Sequence, residues 1–232
     1  VEASLPVHCV DIAPTWALEK LQTQAEPEAM VRHDDCLVPR LARAHQATNT
    51  ANAPVASAHV VTGGTSGLGL LTARWLAQRG DVRALVLASR GGVLGCDTVT
   101  RWSVVCTTNA ATLVQRCDTA EGANVGRLVA NVVGAARAMS VWHAAGVLAD
   151  SVLPGQTADA LARVYAPKAH GAWTLHRACS TAVVPTHALF SSVAVLLGGA
   201  GQANYAAANA CLDALASWRR TCARVATSVQ WG

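Results

Sequence analysis

A glycine-rich octet and a dispersed polar quartet carry the chemical content of this sequence. The octet, TGGTSGLG, follows the β-type run HVVTGG and opens a helical run. Glycines in a strand-to-helix turn let the backbone close tightly, so that N–H groups and the helix N-terminus can approach a pyrophosphate. Thr62, Gly63, Thr65, Ser66, Gly67, Leu68 and Gly69 are therefore a candidate dinucleotide cradle. The next β-type run ends in Ser89 and Arg90, where an Asp or Glu would grip the ribose hydroxyls of NAD. A guanidinium fork suits a 2′-phosphate instead and points to NADPH, the plain alternative being a solvated strand-end Arg. Asp118, closing a third β-type run, can meet an adenine amino group or serve as an exposed turn aspartate.

The quartet is Lys168, Ser192, Tyr205 and Asn209. Ser192 lies just past an apolar β-type run, Tyr205 enters a helix thirteen residues later, and Asn209 is one turn further on. Lys168 is one of two lysines, with Lys20, in a chain whose 18 basic residues are otherwise all Arg. Singly, each has a dull reading: a strand-end cap, a half-buried aromatic, a packing amide, a solvated charge. Jointly they are not independent coincidences.

Such groups need a rigid scaffold, and the apolar pattern supplies one. Runs at 59–64, 84–90, 112–118, 140–146, 187–193 and 226–231 read as strands. Helical runs lie between them, clearest at GLGLLTARWLAQRG and NYAAANACLDALASWRRTC. This alternation predicts a Rossmann-type, doubly wound α/β fold with a parallel sheet. The stretch before it, low in large apolar residues, reads as a linker over 46–58. Hydrophobic residues at 52% and charged residues at 14% suit a sheet buried on both faces.

Composition also narrows the classes of function. Apolar runs are interrupted well before the about 18 residues of a membrane span, and the N-terminus lacks the features of a signal peptide, so a soluble, cytoplasmic protein is expected. The eight cysteines form no CxxC pair and read mostly as buried reduced thiols; the histidines show no ligand spacing, and no metal is expected. The net charge of +4 has no basic block, which argues against a nucleic-acid partner.

TGGTSGLG, HAAGVLAD (143–150), YAPKAHGAW around Lys168, FSSVAVLLGGAGQANYAAANACLDALASW (190–218) and SVQWG (228–232) together resemble the ketoreductase domains of modular polyketide synthases, within the short-chain dehydrogenase superfamily. Ordinary members of that superfamily carry a Lys four residues after the Tyr. Here that place holds Asn209 and the Lys stands upstream at Lys168, as in the polyketide branch. The segment EPEAMVRHDDCLVPRLARA (26–44) resembles the end of the structural subdomain that precedes the catalytic half. The expected organisation is thus a subdomain tail at 1–45, a linker at 46–58 and an NADPH-binding catalytic domain at 59–232, incomplete at its C-terminus.

The resemblance implies reduction of a β-keto thioester carried on the phosphopantetheine arm of an acyl carrier protein, within a larger synthase. Tyr205 would be the proton donor. A phenol ordinarily titrates near pH ~10, and a neighbouring Lys168 ammonium would lower that. Ser192 would bond the substrate oxygen, Asn209 would hold Lys168 or a relay water, and Ala144, Ala145 and Gly146 would line the cofactor. Product configuration in that family tracks an LDD motif, here Leu148, Ala149 and Asp150, and a Trp eight residues before the Tyr, here Leu197. The retained Asp150 and the absence of that Trp lean towards a D-configured product. A freestanding short-chain dehydrogenase and a silent scaffold domain stand as the alternatives.

Overall fold

The computed structural model describes residues 9–12, 28–32, 35–37, 58–79, 81–95 and 110–232. The chain divides into two units, residues 1–50 and 51–232. In the first, β1 (Cys9–Ile12) pairs parallel with β2 (Glu28–Arg32), which pairs antiparallel with β3 (Asp35–Leu37).

The second unit is built on a six-stranded sheet. Its strands are β4 (Ala58–Thr62), β5 (Ala84–Ser89), β6 (Ala111–Arg116), β7 (Met139–His143), β8 (His187–Ser192) and β9 (Thr227–Trp231), in the order β6-β5-β4-β7-β8-β9, every pairing parallel. Helix α1 (Gly67–Gln78) follows β4, and α2 (Gly122–Ala135) links β6 to β7. Helices α3 (Ala158–Tyr165) and α4 (Gly171–Ala178) link β7 to β8, joined by a π-helical turn at Ala166–His170. A short α5 (Ala194–Leu197) and the long α6 (Ala203–Thr221) lead into β9. This is the expected doubly wound sheet. The chain reverses its direction of travel across the sheet between β4 and β7, and open sheets of this kind place ligands at the carboxyl ends of the strands flanking such a point.

All six strands foreseen from the sequence are present. All but β9 stop earlier than their apolar runs do, because the backbone turns away at the carboxyl ends of the strands: Gly63 has φ +65°, and β6 ends at Arg116, two residues short of Asp118. Helices expected at 67–80 and 204–222 are α1 and α6.

Strand alternation sorts the core onto two faces. Val60, Val86, Met139 and Val141 meet Val125, Leu128, Val129 and Val132 of α2 and Leu175 of α4, while Val61, Leu85 and Leu87 meet Leu70, Ala73 and Leu76 of α1. A third cluster packs Leu189 under Leu212, Leu215 and Ala216 of α6. Each fully buried Leu or Val contributes roughly 1.5–3 kcal/mol relative to exposure, so the site rests on a stiff platform. Of the described cysteines, Cys117 and Cys179 are buried, but Cys211 and Cys222 are exposed, on the outer face and just beyond the end of α6. Cys9, Cys36, Cys96 and Cys106 lie outside the described side chains. Among the described residues, no helix is long and apolar enough to cross a membrane, and no cluster of His, Cys, Asp or Glu is arranged to hold a metal ion.

Candidate active site

The turn between β4 and α1 is shaped by close backbone approach. A Cβ on Gly63 would lie 2.8 Å from the Ala144 carbonyl, so only glycine lets the turn press against the segment after β7. Ser66 precedes α1 without capping it through its side chain, and the first turn holds no acidic residue. The N–H groups of that turn and their partial positive charge are left to an anion.

A cleft of about 260 Å³ opens beside this turn. Gly63, Thr65 and Ser66 form one wall, Ser89 and Arg90 another, and Ala145 and Gly146 a third. An adjoining recess of about 360 Å³ shares Arg90 and adds Asp118 and Arg163. The donor set fits a nicotinamide dinucleotide: backbone N–H groups at a glycine turn, small residues after β7, and guanidinium groups at the far end. Of the sequence candidates, Thr62, Gly67, Leu68, Gly69 and Ala144 are not in the wall of the cleft. Thr62 is fully buried, its Oγ1 2.7 Å from His143 Nδ1, and Gly67, Leu68 and Gly69 form the first residues of α1. Asp118 is in a turn, its carboxylate accepting the Ala120 N–H at 3.0 Å. Sequence reasoning missed Thr119, which lines the cleft, and Arg163, which lines the recess; Arg163, on α3 five residues before Lys168, carried no recognisable spacing.

Lys168 is the centre of the second cluster. It is buried, and its Nζ donates to Asn209 Oδ1 at 2.8 Å and to the Phe190 carbonyl at 2.9 Å, 5.1 Å from the centre of the Tyr205 ring. Burial lowers its pKa from 10.5 to about 8, against the pull of Asp213 in the opposite direction. Asn209 is fixed in turn, its Nδ2 donating to the Tyr205 carbonyl one helical turn back at 2.8 Å. Ser192 is the last residue of β8, and its Oγ accepts the Ala194 N–H at 3.2 Å. The strand-end cap and a substrate contact are compatible, since an accepting hydroxyl keeps its proton for donation.

The loop after β7 is tied to the approach of α6. Gln202 Nε2 donates to Asp150 at 3.1 Å, Asn204 Nδ2 to the Ala149 carbonyl at 2.8 Å, and the Ser151 N–H to the Gly201 carbonyl at 2.9 Å. Leu148 and Leu197 are both exposed, at 57% and 74%.

A family model described as the KR domain matches residues 57–232. The chain belongs to the KR domain family. Among curated relatives, this KR chain is 39% identical over 207 residues to polyketide synthase GfsA of Streptomyces halstedii, covering 89% of this chain and 3% of that protein. It is 42% identical over 174 residues to the spectinabilin polyketide synthase system protein NorB of Streptomyces orinoci, covering 75% of this chain and 8% of that protein. It thus spans a small part of the length of the synthases it matches. Among solved structures, an A-type ketoreductase from a modular polyketide synthase superposes with a TM-score of 0.85 at 31% identity, over 97% of this chain and 50% of that one. A C2-type ketoreductase gives 0.80 at 31%, over 97% and 50%.

Proposed function

We propose that this chain reduces a carrier-bound β-keto thioester to the β-hydroxy thioester with NADPH. The observation that carries the reading is the buried Lys168 ammonium, held by Asn209 and the Phe190 carbonyl beside the Tyr205 ring. NADPH, when bound, supplies the hydride. Tyr205 gives its phenolic proton to the substrate oxygen, the Lys168 charge favours the phenolate left behind, and Ser192 steadies that oxygen with its hydroxyl proton. Arg90 and Arg163, lining one recess, favour the 2′-phosphate that distinguishes NADPH from NADH.

In this reading residues 59–232 are the reductase domain, 46–58 a linker and 1–45 the tail of a preceding subdomain, in a cytoplasmic synthase that draws on the NADPH pool. An acyl carrier protein presents the substrate, and the net charge of +4 suits a carrier that is acidic. The A-type and the C2-type ketoreductase match this chain at the same identity, so the product is read from its own residues. Asp150 held by Gln202, with Leu197 in place of a Trp, supports the D configuration. The test is incubation of the chain with NADPH and an N-acetylcysteamine β-keto thioester, followed by chiral analysis. A D-β-hydroxy thioester formed faster with NADPH than with NADH is expected; an L product overturns the stereochemical assignment, and no β-hydroxy product overturns the reaction.

A further inference from the structure

Lys168 is carried on an unusual piece of backbone. Ala166–His170 is a π-helical turn containing Pro167, which lacks an N–H and disturbs the regular ladder. The Gly171 N–H is shared between the carbonyls of Ala166 and Lys168. Two consecutive carbonyls of this turn are then gripped by side chains from distant parts of the chain. Thr119, in the loop after β6, donates its Oγ1 proton to the Pro167 carbonyl at 3.2 Å, and His143, the last residue of β7, has Nε2 3.0 Å from the Lys168 carbonyl.

The tautomer of His143 follows from its partners. A carbonyl only accepts, so Nε2 must carry the proton. The ring is fully buried, and desolvation holds its pKa down at about 4, so it is neutral and Nδ1 accepts from the Thr62 hydroxyl at 2.7 Å. Thr62 ends β4 and leads into the glycine turn. One hydrogen-bonded chain therefore runs from the nucleotide turn through His143 to the backbone of the lysine. Gly171 marks how closely the turn is pressed onto the pair: a Cβ there would lie 2.6 Å from Thr119 Oγ1 and 3.3 Å from His143 Cε1.

From this we infer that His143 and Thr119 are positioning residues, which hold the π turn so that Lys168 reaches Asn209 and the Tyr205 ring. The inference rests on the role given to Lys168 above. A lysine has four side-chain torsions, and its head can be placed to within an ångström only if its backbone is fixed; errors of that size cost up to about a hundredfold in rate. His143 is not placed to exchange protons with substrate: it is fully buried and both of its nitrogens are engaged.

The test uses the fact that the full chain contains only Lys20 and Lys168, so labelling with [ε-13C]lysine gives two signals, assigned with Lys20→Arg. Four variants are compared: His143→Leu and Thr119→Val remove the grip, while His143→Gln returns a donor near Nε2 and Thr119→Ser returns the hydroxyl. The first two are expected to move the Lys168 signal, raise its titration midpoint by about one pH unit as the ammonium becomes solvated, and lower kcat about ten- to a hundredfold. The latter two should recover most of both. Wild-type signal and midpoint in His143→Leu and Thr119→Val would overturn the inference, as would Gln and Ser variants no better than Leu and Val. The spectrum reads Lys168 without turnover, so a wild-type chain that failed to reduce the thioester would overturn the proposed reaction alone. Should His143→Leu not fold, Thr119→Val and Thr119→Ser decide.

Discussion

Lys168 combines burial with a charge, and that combination sets the pH behaviour of the site. With its pKa lowered to about 8, the ammonium is present below that pH and is lost as pH rises through it. The kcat of reduction should therefore fall above about pH 8, and a profile flat to about pH 9.5 would contradict a role for the charge. Arg90 makes a separate claim on specificity. Arg90→Ala should raise the KM for NADPH about ten- to a hundredfold, the worth of a charge-assisted hydrogen bond, and leave that for NADH nearly unchanged. Parallel titrations with the two cofactors check it. The residues that make these arguments were legible in the sequence because their types are rare or oddly placed: one of two lysines, an Arg where a carboxylate was due. Thr119 and Arg163 were not, since nothing local marks a Thr or an Arg that joins its site only across the fold.

The strands and helices that hold these groups were read from apolar periodicity, and they formed where buried parallel strands and amphipathic helices are required. The π turn was not foreseen, because the hydrogen bonds that hold it come from β7 and the loop after β6, far away in sequence. The anchoring of β9 was equally hidden. Asp213, one turn beyond Asn209 on α6, accepts from Ser228 Oγ and, at 2.9 Å, from Gln230 Nε2, fastening the outermost strand to the helix that bears Tyr205. Asp213→Ala should lower stability by about 1–3 kcal/mol and speed amide exchange in β9 more than in β4; unchanged exchange in β9 would contradict that anchoring. In the core, Leu128→Ala, on the buried face of α2, should cost about 2–5 kcal/mol on thermal unfolding while leaving the pH profile of kcat in place.

The second unit as a whole is built around neutral buried histidines. Desolvation holds His143 at about 4 and His187 at about 3, both below the usual 6.5. An unfolded chain binds those protons from about pH 6.5 downward, whereas the folded chain resists until about 4 and 3. Stability is therefore fully present above about 6.5 and declines as pH falls through that window. Thermal unfolding should show a loss of roughly 2–4 kcal/mol between pH 7 and pH 5, and equal stability at the two values would show that these rings are not held neutral. The same burial that makes the fold acid-sensitive keeps His143 neutral, so that Nδ1 can accept from Thr62 while Nε2 donates to the Lys168 carbonyl, and stability and positioning share a cause. The central claim is that Tyr205, beside the Lys168 ammonium, protonates the substrate oxygen. Its most direct measure is NADPH consumption with a β-keto thioester by wild type and Tyr205→Phe side by side, with cofactor binding followed by fluorescence. Retained binding and a rate lower by at least about a hundredfold are expected, and a Phe variant running at the wild-type rate would contradict proton donation by Tyr205.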